Sequence, residues 1–551
     1  ATIDWSYDLL GGDQRLLFRR LGVFAGGFSL EAAEEVCAGE SVDSGDVLDL
    51  LATLVDKSLV IAEESGSDIR YRVLETIREY GRDRLQESAE AAAAHGKHLH
   101  WFLRLVEDAE PELRRPAQLA WLDRLETEHD NLRAALEWSR NENHGTGVRM
   151  AGALHHFWLL HGHLTEGRDW LAGFVKADPD RSALTHAKAV YALGALELRL
   201  GNYGTAKSLC EESHALFAAA EDSLGIGLSL MVVGTVARIR GTYGQAREIL
   251  EAALTHSRQS GDTLAVAQTL NTIGLTARRQ HDYDRAKVVL EESVALWRDL
   301  GDRWGLAQAL GSLGAVVRYQ GDYVLATTLH EESLALRREL GDRLETATSL
   351  QSLAAIAIEQ EDYVQAKQPL EEALGIFRDL GDKLSVAAAL GNLGFIALRQ
   401  AELGRATELL TRSLSLAEEL DSQPLIAGSV CFLAMVAHAK GEEERAAALF
   451  RQSATIFGRQ GDKVWLAVAL VGLALVAAAQ GKPELGARLL GAADELRDGV
   501  GGVLSPMDRA DRERAVTVLC SLLEEDTFSA AWADGRALTP EEAVAEAVRG
   551  I

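Results

Sequence analysis

The residues whose types and spacing could do chemistry fall into three sets: two histidine groups, two Gly-Lys pairs and a column of arginines. His95, His98 and His100 form one histidine group, and His155, His156, His161 and His163 form the other. Neutral imidazoles one helical turn apart can hold a divalent metal. No cysteine or HExxH pattern joins either group, and Gly162 interrupts the second. A structural or surface role without metal is the expectation. The Gly-Lys pairs are Gly96-Lys97-His98 and Gly481-Lys482-Pro483. A phosphate-cradling loop needs GxxxxGK[ST], which surrounds the phosphates with backbone N–H groups and a lysine. Neither pair has the earlier glycine or the following Ser/Thr, so no ATP or ADP cofactor is expected in this chain. No Gly-x-Ser-x-Gly elbow occurs, and no carboxylate pair stands out as an acid–base couple. No catalytic residue is assigned, and no enzyme is expected. Cys37, Cys210, Cys431 and Cys520 lie far apart with no CxxC pair. That excludes a zinc ribbon and a disulfide scaffold and fits a reducing cytoplasm.

The arginines belong to a repeat. Gly-Asp recurs at Gly261-Asp262, Gly301-Asp302, Gly341-Asp342, Gly381-Asp382 and Gly461-Asp462, always 40 residues or a multiple of 40 apart. Half a period away runs a second ladder through Tyr203, Tyr243, Tyr283, Tyr323 and Tyr363. Self-similarity of this kind marks a solenoid. Each unit reads as two helices, because Gly supplies a left-handed helix end and the following Asp or Asn caps the next helix. Gly194, Gly234, Gly274, Gly314 and Gly394 share one column with alanines, which lets paired helices approach to about 8 Å. The pattern resembles the tetratricopeptide repeat in its 40-residue form, as eight helix pairs over 183–499.

In such superhelices the first helix of each pair lines the concave face. Its columns place Arg238, Arg278 and Arg318 in one row and Arg279, Tyr319 and Arg399 in the next. Asn271 and Gln351 lie a turn earlier, with Gln268 and Gln308 nearby, and Phe395, Met435 and Leu475 make an apolar end. Arginine matches carboxylate or phosphate in bidentate geometry. The expected ligand is an acidic protein or peptide segment, or an acidic small effector. The alternative is that these arginines serve helix C-termini and pair with neighbouring carboxylates.

Prolines punctuate the pattern. Pro424 and Pro483 fall in first turns, and Ser505-Pro506 and Thr539-Pro540 read as N-cap plus first helical residue. Pro111, Pro116 and Pro179 are expected in connections, and Pro369 is expected to kink a helix.

Residues 1–90 do not repeat. Asp4–Leu10, Asp13–Leu21, Leu30–Val36 and Asp46–Lys57 read as helices, Ser58–Ala62 and Ile69–Val73 as strands, and Leu74–Leu85 as a further helix. Helices followed by a β-wing suggest a winged helix. Leu54-Val55-Asp56-Lys57-Ser58-Leu59-Val60 and Leu74-Glu75-Thr76-Ile77-Arg78-Glu79-Tyr80 resemble the winged helix after the nucleotide-binding (NB-ARC) domain of bacterial STAND-class regulators of the LuxR and antibiotic-regulator types. Glu128-His129-Asp130-Asn131-Leu132-Arg133-Ala134-Ala135-Leu136 is similar to their helical linker, and Trp532-Ala533-Asp534-Gly535-Arg536 to their usual ending. The resemblance implies an ATPase domain upstream of Ala1. It also aligns Leu74 and Glu75 with the family's nucleotide-sensing His and Asp, and Leu cannot hydrogen-bond a phosphate.

The whole chain has 551 residues and a net charge of 56 − 83 = −27, which argues against coating nucleic acid or anionic membrane. Residues 1–90 alone carry 9 Lys/Arg against 19 Asp/Glu, so direct DNA binding is not expected. The longest uncharged apolar run, Val464–Ala479, has 16 residues, short of the roughly 20 that span a membrane. The expected architecture is predominantly all-α: a winged helix (1–90), a helical linker with a degenerate first repeat (91–182), a tetratricopeptide superhelix (183–499) and a helical cap (500–551). The expected role is the sensor and regulatory region of a STAND-type transcriptional regulator in the cytoplasm. Its expected partners are an effector, its own nucleotide-binding domain and, on activation, further copies of itself. A free-standing scaffold that tethers protein partners is the alternative.

Overall fold

The computed structural model describes residues 2–39, 42–65, 68–177, 184–500 and 504–550. They form a tetratricopeptide-like helical solenoid with a small three-stranded sheet near the N-terminus. Two compact units are present: Ala1–Ile273 with Ala295–Arg303, and Gly274–Val294 with Trp304–Ile551.

Turn chemistry produces the repeat. Gly261, Gly301, Gly341, Gly381 and Gly461 adopt φ between 68° and 73°, where any Cβ would strain the backbone. The next residue then caps: Asp262 Oδ1 accepts the Ala265 N–H at 2.8 Å, and Asp342, Asp382 and Asp462 do the same three residues on at 3.1 Å. Asp282, Asp322 and Asp362 cap the half-period helices. The small-residue column is needed for close packing. A Cβ on Gly194 would stand 2.6 Å from Cys210 Sγ, one on Gly274 2.4 Å from Leu290, and one on Gly394 2.6 Å from Leu410.

In the first unit the winged helix comprises helices Thr2–Asp8, Gly12–Leu21, Leu30–Cys37, Val47–Asp56 and Glu75–Gln86. Its antiparallel sheet has the order β1 (Phe28–Ser29), β3 (Asp68–Arg72), β2 (Ile61–Ser65). The strand expected at Ser58–Ala62 begins three residues later. Leu59 and Val60 still donate to Leu54 O, and Ser58 takes φ 58°, so the helix end consumes them. β1 is not expected from the sequence, being only two residues long and directly after Gly26-Gly27. The hairpin tip lies outside the described residues.

Helices Ala91–Glu112, Gln118–Thr127 and His129–Glu142 follow, and His144–His161 pairs with Leu164–Ala177. Pro111 is inside Ala91–Glu112 and not in a connection. In the last turn it removes few backbone bonds. Pro116 does fall in a connection, and Pro179 lies outside the described residues. One hydrophobic core runs from Tyr7 and Phe18 through Phe102 and Leu132 to Leu196. The winged helix therefore shares its core with the linker and the first repeat helix.

In the second unit the helix pairs run from Arg303–Tyr319 with Tyr323–Glu339 to Lys463–Ala479 with Pro483–Asp498. Pro424, Pro483 and Pro506 occupy first turns, and Thr539 caps its helix with Glu542. Pro369 lies inside Tyr363–Asp379, which continues past it. Helices Pro506–Leu522 and Pro540–Gly550 add Ala515, Leu519, Ala543 and Ala547 to the core that holds Leu470 and Leu489. Among the described residues no helix is long and apolar enough to cross a membrane.

The repeat departs from glycine at five turns, where Glu221, His281, Glu361, Ala401 and Asp421 take φ between 49° and 62°. Alanine gains no local hydrogen bond from that conformation, and it costs about 1 kcal/mol. Ala401→Gly should therefore raise the unfolding free energy by about 1 kcal/mol, read as a higher denaturation midpoint with unchanged slope. A lower midpoint would show that the turn is not strained.

Candidate functional site

The second unit gathers arginines and tyrosines from successive repeats. Arg278 ends one first helix, Arg318 and Tyr319 end the next, and Tyr283 opens the helix between them. The Tyr283 and Tyr319 rings stack at 5.4 Å with 17° between planes, and the Arg318 guanidinium lies 5.0 Å from the Tyr319 centroid. Arg318 Nη1 donates to Glu359 Oε1 at 3.0 Å. Burial raises the Glu359 carboxyl above its usual range, Asp508 adds to this, and Arg318 works against it. Arg278 differs from Arg318. It is half-buried, its Nε has no hydrogen-bond partner, and the cations Arg279 and Arg318 stand near it. Burial, with these two like charges, holds its guanidinium below the ordinary range.

Arg399 already has its anion. It donates to Asp511 Oδ1 at 2.7 Å, to the Tyr363 hydroxyl at 2.9 Å and to Glu361 at 3.1 Å. Asp511 comes from the chain's own helix Pro506–Leu522, whose Met507 packs against the core around Phe395. Arg399 thus follows the alternative drawn from sequence, pairing with the chain's own carboxylates, and so does Arg318. Beside it a cavity of about 480 Å³ is lined by Met435, Leu475, Arg497 and Asp508. Gln308 and Gln351 are half-buried, and Arg279 is exposed. Sequence reasoning missed Tyr283 and Asp511 as site members. The tyrosine ladder signalled the first, and nothing local signalled the second.

Arg238, Gln268 and Asn271 belong to the first unit. Gln268 Oε1 and Asn271 Oδ1 are buried acceptors without a hydrogen-bond partner. In the winged helix Leu74 is an exposed N-cap residue, and Glu75 pairs with Arg78. That pairing draws the Glu75 carboxyl below its usual range.

The junction between winged helix and linker is a polar clasp. Asn131, fully buried, accepts the Ala25 and Gly26 N–H groups at 2.9 and 3.2 Å and donates to Gly27 O at 2.8 Å and Glu128 Oε2 at 2.7 Å. Glu128 in turn binds Arg70 at 2.6 Å, and Arg70 donates to Gly27 O at 2.9 Å.

Residues 10–86 match the winged helix-turn-helix domain family, and residues 226–299 and 305–379 match the tetratricopeptide repeat family. A Mycobacterium bovis protein named as an HTH-type transcriptional regulator is 42% identical over 180 residues, 32% of this chain and 20% of its own length. An uncharacterized protein of Mycobacterium tuberculosis is 43% identical over 103 residues, 18% of this chain and 26% of its own length. The chain thus matches only a fifth to a quarter of the length of these curated relatives. A solved structure from Pyrococcus horikoshii, a Signal Transduction ATPase with Numerous Domains protein with a tetratricopeptide repeat sensor, shares the fold. The TM-score is 0.56 at 15% identity, over 81% of this chain and 63% of that one. This chain is therefore similar to part of an HTH-type transcriptional regulator and, in fold, to a STAND protein with a tetratricopeptide repeat sensor.

Several histidines are packing residues. His98 lies between Phe24 and Phe102, with ring centroids at 5.3 and 4.6 Å, and burial pushes it down to about 3. Burial likewise lowers His155 and His330 to about 4, with nearby arginines adding to the effect. His155 and His156 line a first-unit cavity of about 600 Å³ with Arg114, Lys188 and Tyr191. These imidazoles titrate near 6.5 when unfolded, so between that pH and about 4 the unfolded chain binds more protons. Stability should therefore fall on acidification from pH 7 to 5. Each such histidine contributes about 1.4 kcal/mol per pH unit once the pH is below 6.5. Urea midpoints at pH 7, 6 and 5 check this, and His98→Leu should flatten the slope. A midpoint that holds or rises on acidification would contradict the assignment.

Proposed function

We propose that this chain is the regulatory and sensor region of a STAND-type transcriptional regulator. In this reading the repeats take up an effector or partner, and the winged helix relays its presence to a nucleotide-binding domain preceding it. The observation that carries the reading is the shared core and polar clasp, which make the winged helix one body with the linker and first repeat helix. A winged helix so committed suits coupling better than DNA reading. Its fourth helix, Val47–Asp56, holds Asp49 and Asp56 and no Lys or Arg, so it would repel a phosphate backbone. The wing pairs Arg72 with its own Glu63. Nucleotide turnover and DNA contact then belong to other parts of the regulator. The gene sequence ahead of Ala1 tests this reading. A GxxxxGK[ST] strand–loop–helix there supports it, and a nearby start codon leaves the tethering scaffold instead.

The ligand reading narrows to Arg278. A half-buried guanidinium beside two other cations suits an incoming carboxylate, and the Tyr319 ring, exposed and backed by the buried Tyr283, supplies a flat wall for apolar side chains. Arg279, Tyr319, Gln308 and Gln351 would contribute around it, and an acidic peptide segment is the favoured ligand. Arg238, Gln268 and Asn271 would offer polar contacts in the first unit. A fluorescent decapeptide of alternating Glu and Leu should bind the full chain, and Arg278→Ala should weaken it about tenfold or more. Arg343→Ala, which removes an exposed pair with Asp379, should leave binding unchanged. No binding, or equal binding by Arg278→Ala, would contradict the site.

A further inference from the structure

We propose that Glu126, His129 and His163 form a site for one divalent transition-metal ion of the zinc class. Two breaks in the chain bring these side chains together. Glu126 sits in the last turn of Gln118–Thr127, and His129 opens the next helix. Gly162, with φ 83°, ends His144–His161 and turns the chain so that His163 returns beside it. The glycine that seemed to scatter the histidines in sequence is what gathers them. One donor atom from each of the three residues lies within 4.8 Å of the others. Glu126 Oε2 is 2.9 Å from His163 Nε2, and His161 Nδ1 is 3.5 Å from the same oxygen.

An independent observation points to a ligand. His129 is only 8% exposed, yet its Nε2 has no hydrogen-bond partner. The nearest carboxylate oxygen, Glu166 Oε1, is 3.3 Å away, and both Glu166 oxygens already accept from Arg133. A buried imidazole nitrogen left without a partner is costly, and a metal ion would satisfy it. Zinc takes nitrogen at about 2.0–2.1 Å and carboxylate oxygen at about 2.0–2.2 Å, so tetrahedral donors stand roughly 3.4 Å apart. To reach that value the 2.9 Å Glu126–His163 contact would open slightly, and donor spacings beyond it, which are at most 4.8 Å, would close. Two imidazoles with one carboxylate suit zinc and its neighbours, whereas magnesium and calcium prefer oxygen donors. His161 Nδ1 lies 3.5 Å from Glu126 Oε2 but outside the three-donor group, so water would take the fourth position. The ion would tie the linker to the first helix pair at a point where loops meet.

The test uses the full chain with Zn²⁺ or Co²⁺ as the probe. One equivalent should bind at micromolar concentration or below, measured for Zn²⁺ against a chromophoric chelator. Bound Co²⁺ should show the visible absorption of a four-coordinate site. Glu126→Gln and His163→Gln alter side chains that are 44% and 26% exposed, so both variants should fold, as circular dichroism would verify. Each should lose at least tenfold in affinity, and His100→Ala, at an exposed imidazole elsewhere, should lose nothing. Absence of stoichiometric uptake, or uptake unchanged in both site variants, would overturn the proposal and leave a hydrogen-bonded histidine cluster.

Discussion

The Asn131 side chain is the contact on which the first unit depends. It satisfies two backbone N–H groups and one carbonyl of the Ala25–Gly27 segment from a buried position. Backbone groups left unpaired away from water would each cost about 1–3 kcal/mol, so this one amide lets the half-buried Ala25–Gly27 segment pack against the linker. Gly27 is then followed directly by β1, which orders the sheet and lets Arg70 reach Glu128. Around the polar centre, Phe24, Phe28 and Phe102 close the apolar core. Removing the amide would take their side-chain acceptor from the Ala25 and Gly26 N–H groups and leave Gly27 O to Arg70 alone.

The second unit rests on a different economy of parts. A left-handed glycine and an aspartate cap end one helix and start the next, and small residues fix how closely the pair packs. The same two rules, repeated every 40 residues, also place equivalent side chains in rows. Rows of arginine are hard to bury together, because like charges repel at short range. The chain meets this by supplying Glu359 to Arg318 and Asp511 to Arg399. Among the described residues Arg278 Nε has no hydrogen-bond partner, and under the proposed reading Arg278 is the position in the row that meets an external anion.

Local patterns were legible in the sequence, and contacts across long separations were not. Gly261-Asp262 and its repeats announced both the turn and the cap, and the Gly194 column announced close packing, because each depends on one residue's own conformation or size. The arginine rows were visible for the same reason of period. What Asp511 does to Arg399 was not visible, since 112 residues separate them. His129 passed as part of a linker string, and its neighbours His161 and His163 looked divided by Gly162. The strand at Ser58–Ala62 was misplaced because the sequence pattern does not show how many residues a helix end consumes.

The central claim is that winged helix and linker form one cooperative body. Hydrogen exchange of the Asn131→Leu variant, resolved by segment, tests it most directly. The account predicts that protection falls together in Leu30–Cys37, Asp68–Arg72 and His129–Glu142, by an amount equivalent to about 3 kcal/mol. If the winged helix keeps its protection while the linker alone loosens, the two are separate domains, and the coupling role assigned to their junction is wrong.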